Sequence, residues 1–179
     1  DPAQIAFLFA ADAGIFVAAP AGNDGEFFTV AHPAPWVTTV AAGTHNRSGL
    51  GSVQLGNNAT YSGPSFATPV GPAPLINAAA AGLAGANPTA VSLCFTAADN
   101  GGTPVLDPAK VTGKIVVCAR GVSGPRSKSE AVRDAGGIGM ILVNTAPNSL
   151  NADFHFVPSV HLASEQAAAV KAYAATMGN

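Results

Sequence analysis

The run Ile15-Phe16-Val17-Ala18-Ala19, closed by Pro20, constrains the fold more than any other stretch of this chain. Five apolar residues without alternation do not suit a strand with one wet face. They predict a strand covered on both faces, as in a parallel sheet layered between helices. The flanks agree with that expectation. Asp1-Pro2 has the form of a helix N-cap followed by the first helical residue, Ile5, Leu8 and Phe9 fall on one helical face, and Gly14 supplies a left-handed stop. After the polar turn Pro20-Ala21-Gly22-Asn23-Asp24-Gly25, a second apolar strand is predicted over residues 35–43. In a doubly wound sheet, chemistry gathers just beyond the carboxyl ends of the strands, and Asn23 falls at such a place.

From Gly49 to about Pro74 the texture changes to Gly, Ser, Asn and Pro, which predicts a connector with short strands such as Ser52-Val53-Gln54-Leu55. Beyond it, short strands are predicted over residues 90–95, 114–118, 139–143 and 158–162, separated by turns such as Asp99-Asn100-Gly101-Gly102 and Asp107-Pro108. Two helices accompany them. One runs from about Ser127 to Ala135 and ends at Gly136-Gly137. The other starts at a Ser164 cap, places Val170, Tyr173, Ala174 and Met177 on one face and stops at Gly178. The expected architecture is α/β: a strip of doubly wound parallel core over residues 1–48, a connector over 49–74 and an α+β module over 75–179.

Composition narrows the function classes. Only 10% of residues are charged, the net charge is −2, and the eight Lys and Arg are scattered, so no basic stripe exists to neutralise phosphates. Nucleic acid is not an expected partner. No apolar run approaches the roughly 20 residues of a membrane span, and Asp1-Pro2-Ala3-Gln4 lacks the basic start of a signal peptide, so the beginning is not expected to be a natural N-terminus.

Several local patterns lead away from cofactors. Asp153 and His155 alternate and His161 lies six residues on, which is not metal-ligand spacing. Gly136-Gly137-Ile138-Gly139 has a predicted helix before it and a strand after it, the reverse of a dinucleotide fingerprint, and is better explained as a helix C-cap. No cofactor and no metal are expected. Cys94 and Cys118 are compatible with either a bridge or two buried thiols. Asn46-Arg47-Ser48 and Asn58-Ala59-Thr60 fit the N-glycosylation sequon, which matters only on a eukaryotic secretory route. The Ala- and Gly-rich composition leads us to expect a bacterial source, where both would stay bare.

Two blocks carry a family resemblance. Residues 14–25, Gly-Ile-Phe-Val-Ala-Ala-Pro-Ala-Gly-Asn-Asp-Gly, followed by Ala34-Pro35-Trp36-Val37-Thr38-Thr39-Val40-Ala41-Ala42-Gly43-Thr44 and Asn46-Arg47, closely resemble the subtilase family of serine proteases around its oxyanion-hole asparagine. The second half resembles the protease-associated domain that many subtilases carry as an insert between that asparagine and the catalytic serine. The matching residues are Cys94, Leu106-Asp107-Pro108-Ala109-Lys110-Val111, residues 113–121, Lys128, Ala131-Val132, residues 135–144, Asp153-Phe154-His155 and Val157-Pro158. The order of the two blocks is the family's order.

The resemblance implies a subtilisin-like core strip plus a protease-associated domain built as a short-stranded β-barrel or sandwich with two helices. It assigns the Asn23 side-chain amide to the oxyanion hole and implies a Cys94–Cys118 disulfide closing a loop of about 25 residues, worth roughly 3 kcal/mol by chain entropy. It also implies a secreted parent, a peptide or protein substrate, the remainder of the catalytic domain as partner, and a module that gates substrate or contacts another copy.

The family's Asp-Ser/Thr-Gly, His-Gly-Thr and Gly-Thr-Ser-Met-Ala motifs do not occur here, so no complete triad is expected and the chain alone should be inactive. Gly63-Pro64-Ser65-Phe66-Ala67 looks like a degenerate nucleophile motif. However, Ser65 precedes the insert whereas the family's serine follows it, and Pro64 stiffens the approach. The competing possibility is a stand-alone, non-catalytic module that binds peptide or protein.

Overall fold

The computed structural model describes residues 1–25, 27–43 and 49–176. The chain divides into two compact units, Asp1–Arg47 and Ser48–Asn179. In the first, helix α1 (Pro2–Asp12) begins where the sequence predicts. The Asp1 carboxylate accepts the Ala3 N–H at 2.9 Å, and Pro2 occupies the first turn, where a missing N–H leaves no bond unmade. Gly14, at φ +76, turns the chain out of the helix as its N–H bonds to the Ala11 carbonyl at 3.0 Å.

Strands β1 (Ala18–Pro20) and β2 (Thr38–Val40) then pair in parallel, with Ala19 opposite Thr39. The parallel pairing matches the expectation from the sequence, but the two-sided burial does not. Only Ala19 of β1 is buried, and Phe16 is 78% exposed. The reason is that, among the described residues, this unit is a two-stranded ribbon with one helix and has no second layer of its own to close over it. Ile5, Leu8 and Phe9 of α1 are exposed for the same reason.

The second unit is centred on a parallel sheet of order β5-β6-β7-β8: β5 (Leu75–Asn77), β6 (Ile115–Ala119), β7 (Gly139–Val143) and β8 (Ser159–Leu162). All five residues of β7 are buried, as befits a central parallel strand. Successive side chains point to opposite faces, so two cores form. On one face Val116, Met140 and Leu142 pack with Val91, Val111 and Val132. These come from α2 (Pro88–Ser92), α3 (Pro108–Val111) and α4 (Pro125–Asp134). On the other face Val117, Ile141, Val143 and Leu162 pack with Ala167 and Val170 of α5 (Ser164–Thr176).

Residues 90–95, expected as a strand, instead hold the last three residues of helix α2 and the turn that follows it. Asn87 Oδ1 accepts the N–H groups of Thr89 at 2.9 Å and Ala90 at 3.2 Å, and Pro88 fills the first turn, so a strong N-cap outweighs the apolar run. The Asp107-Pro108 pair, expected as a turn, likewise caps α3. The module therefore holds more helical turns than the two expected helices, including 3-10 turns at Ala78–Ala80 and Ala98–Asn100.

The glycine- and serine-rich connector folds as an antiparallel hairpin, β3 (Leu50–Gln54) and β4 (Thr60–Pro64), with Val53 opposite Tyr61. Leu55, Val53 and Tyr61 join the α5-side core, so this hairpin packs with the second unit. The short strands thus make a parallel sheet with a hairpin laid against it. Met177 and Gly178, assigned above to the last helix face and its stop, lie outside the described residues, as do Thr44 and the Asn46 sequon.

Candidate functional site

Asn23 sits three residues beyond the end of β1, on the turn that leaves the parallel pair. The Ala21 N–H donates to the Val40 carbonyl at 2.9 Å, and the Ala31 N–H donates to the Ala21 carbonyl at 2.9 Å, so both ends of the turn are tied. Gly22, at φ +92, makes the reversal; a Cβ there would also lie 3.2 Å from Ala31 Cβ. Asn23 is presented to solvent. Below it, Trp36 Nε1 donates to the Gln4 carbonyl at 3.0 Å, and the Gln4 side chain meets His32 Nδ1 at 2.6 Å, fastening the helix to the following loop.

Ser65 is the serine of the degenerate motif. Its Oγ donates to the Ser159 carbonyl at 2.7 Å and accepts the Ala67 N–H at 3.1 Å. The hydroxyl proton is thus committed to a backbone acceptor, and the contact fastens the end of β4 to the start of β8.

A second serine does meet a histidine. Ser129 Oγ lies 3.2 Å from His155 Nδ1, with Asp153 close enough to act on that imidazole. Ser129 is nevertheless fully buried, donates to the Arg126 carbonyl at 2.6 Å and accepts the Phe156 N–H at 3.1 Å. With the serine proton used, His155 must donate from Nδ1. This arrangement holds a loop and leaves no nucleophile. Burial lowers the His155 pKa below its usual value, against the opposing pull of Asp153.

His161 is buried in β8. Its Nδ1 accepts the Asn151 N–H at 3.2 Å and its Nε2 lies 2.7 Å from Asn144 Oδ1, which fixes the neutral tautomer with the proton on Nε2. Asn144 Nδ2 donates to the Asn148 carbonyl at 3.0 Å, and Arg120 donates to the Ser149 carbonyl at 2.6 Å, so the loop after β7 is held at several points. Burial again lowers the histidine pKa. Among the described residues, no group of three His, Cys, Asp or Glu side chains converges as metal ligands would.

Cys94 and Cys118 are joined by a disulfide that is fully buried between the end of α2 and β6. Beside it lies a residue to which sequence reasoning gave no role. Lys128 of α4 is fully buried, and its Nζ donates to the Leu93 carbonyl at 2.7 Å, the Gly121 carbonyl at 2.9 Å and Ser123 Oγ at 3.0 Å. Three acceptors match the three protons of an ammonium, which is how a buried lysine is tolerated. Burial pulls its pKa down to about 8. The sequence signals were its place among the residues that resemble the protease-associated domain, which named no role for it, and a helical pattern in which a lysine usually marks a wet face.

A cavity of about 210 Å³ opens between residues 66–68 and 153–159. Phe66 and Phe154 stack at its rim with centroids 5.3 Å apart. Phe156, also on its wall, lies under the guanidinium groups of Arg126 at 4.6 Å and Arg133 at 4.3 Å. The stacking joins two loops 88 residues apart in the chain, so no local pattern announced it.

Residues 72–170 match the PA domain family. Subtilisin-like protease SBT1.6 of Arabidopsis thaliana is 38% identical over 100% of this chain, which covers 23% of that protein. SBT1.7 of the same plant is 38% identical over 100% of the chain and 23% of its own length, and SBT1.3 is 36% identical over 98% and 22%. The chain thus spans less than a quarter of the curated relatives it matches. Among the described residues, no helix is long and apolar enough to cross a membrane. The chain belongs to the PA-domain family, and along nearly its whole length it is similar to the stretch of subtilisin-like proteases that contains such a domain.

Proposed function

We propose that this chain is a segment of a secreted subtilisin-like serine endopeptidase. It supplies Asn23 to the oxyanion hole, and its PA domain either filters substrate or contacts another subunit. The observation that carries this is collinearity: the similarity to subtilisin-like proteases runs through both units, from the Asn23 turn to α5. The exposed position of Asn23 beyond the end of β1 accords with it.

In acyl transfer the attacked carbonyl oxygen gains negative charge. Asn23 Nδ2, held on a turn tied at both ends, donates a hydrogen bond there without reorganising at the moment of reaction. The serine, histidine and aspartate that make and break the acyl bond come from the rest of the parent protease. That remainder is also the partner expected to cover the exposed Ile5, Leu8, Phe9 and Phe16. The substrate is a peptide or protein.

Asn23→Ala in the full-length protease is expected to lower kcat about 10²–10³-fold with little change in KM. An unchanged kcat would overturn the assignment. The alternative, a non-catalytic binding module, is favoured only by the Phe66–Phe154 cavity. It predicts peptide binding by this chain with no dependence on Asn23.

A further inference from the structure

The β3–β4 hairpin ends in a tight turn, Gly56-Asn57-Asn58-Ala59, that carries one of the two sequons. The Asn58 N–H donates to the Leu55 carbonyl at 2.9 Å, the Leu55 N–H donates to the Ala59 carbonyl at 2.9 Å, and Asn57 Oδ1 accepts the Ala59 N–H at 3.1 Å. Asn58 takes φ +67, a left-handed conformation that asparagine tolerates better than most residues. The turn alone would account for an asparagine here. It does not account for the hydroxyl two residues on, because Thr60 opens β4 with its side chain exposed.

We propose that Asn58 is an acceptor for an N-linked oligosaccharide when the protein passes through a eukaryotic secretory route. The acceptor and the hydroxyl residue are both exposed, as are Gly56 and Asn57 before them, while the small Ala59 between them packs against the core, so a bulky, solvated glycan has room on the solvent side of the turn. The base of the turn is anchored, since Tyr173 Oη accepts the Gly56 N–H at 3.0 Å. The glycan therefore projects from a fixed point.

In the transfer, Asn58 Nδ2 forms a bond to the anomeric carbon of an oligosaccharide carried on a lipid diphosphate. The carbon–oxygen bond to that diphosphate breaks, the diphosphate leaves with the electron pair, and the amide proton passes to a base. β4 runs five residues from this turn to the end that carries Ser65 and Phe66, about 17 Å at the rise of a strand. A glycan on Asn58 thus leaves the Phe66–Phe154 cavity open, and it shields the start of the hairpin's outer edge from pairing with another chain.

The test is secretion of the whole chain from a eukaryotic host behind a signal peptide, with Asn46→Gln as background to silence the other sequon. Intact mass before and after an amide-cleaving glycosidase is the readout. A glycosidase-sensitive mass on the Asn46→Gln chain is expected, lost in Asn58→Gln and in Thr60→Ala and kept in Thr60→Ser. The threonine pair leaves the left-handed Asn58 untouched, so misfolding of the asparagine variant does not obscure the outcome. A secreted Asn46→Gln chain without glycan, or a glycan retained in Thr60→Ala, would overturn the proposal.

Discussion

Gly63 of β4 lies against the backbone of His161 in β8: a Cβ built on Gly63 would stand 2.0 Å from the His161 carbonyl oxygen and 2.9 Å from its carbon. No side chain fits there, because the obstacle is the backbone of a sheet strand and not the end of a flexible residue. The neighbouring Ser65–Ser159 hydrogen bond completes the join. This close approach is what makes the hairpin part of the second unit.

Gly63→Ala is accordingly expected to destabilise the second unit by about 1–3 kcal/mol, the range for overpacking a tight contact. Urea unfolding followed by the circular dichroism of the parallel sheet measures it. A midpoint equal to that of the unchanged protein would mean the hairpin is a detachable connector.

Acid should also loosen this region. His161 has its pKa lowered by burial, and its Nδ1 lone pair is already taken by the Asn151 N–H, so protonation has to break a bond. As pH falls through about 6.5, the unfolded chain takes up a proton that the folded one refuses, and stability is lost. The urea midpoint should therefore fall between pH 7 and pH 5. His161→Asn should lower the midpoint at neutral pH but flatten its pH dependence. The slope should not vanish, since His155 is also held low by burial. An unaltered slope in that variant would exclude His161 as the titrating group.

The first unit should be the less stable of the two when the chain is isolated. Among the described residues, helix α1 buries none of its side chains, β1 buries Ala19 alone, and each of the two short strands pairs along one edge only. Native-state hydrogen exchange should find the amides of α1 and β1 protected far less than those of β6 and β7. Protection equal to that of β7 would refute the idea that this ribbon depends on a missing neighbour.

The sequence by itself determined the local elements whose ends carry special residues. Asp1-Pro2 and Gly14 bounded α1 and Gly136-Gly137 closed α4, because caps and left-handed turns are set by nearest neighbours, and short strand-like runs marked β6 and β7. Even the exception is local: the Asn87-Pro88 cap opens α2 ahead of an apolar run whose residue types alone suit a strand.

Tertiary structure decided the rest. The hairpin became part of the second unit through the contact between Gly63 and His161. Lys128 became a buried ammonium because the Leu93 and Gly121 carbonyls and the Ser123 hydroxyl converge on it. Ser65 and Ser129 lost any claim to act as nucleophiles because their protons go to backbone carbonyls. Each outcome depends on groups brought together from distant parts of the chain or on where a hydroxyl proton points, and residue type and spacing along the chain encode neither.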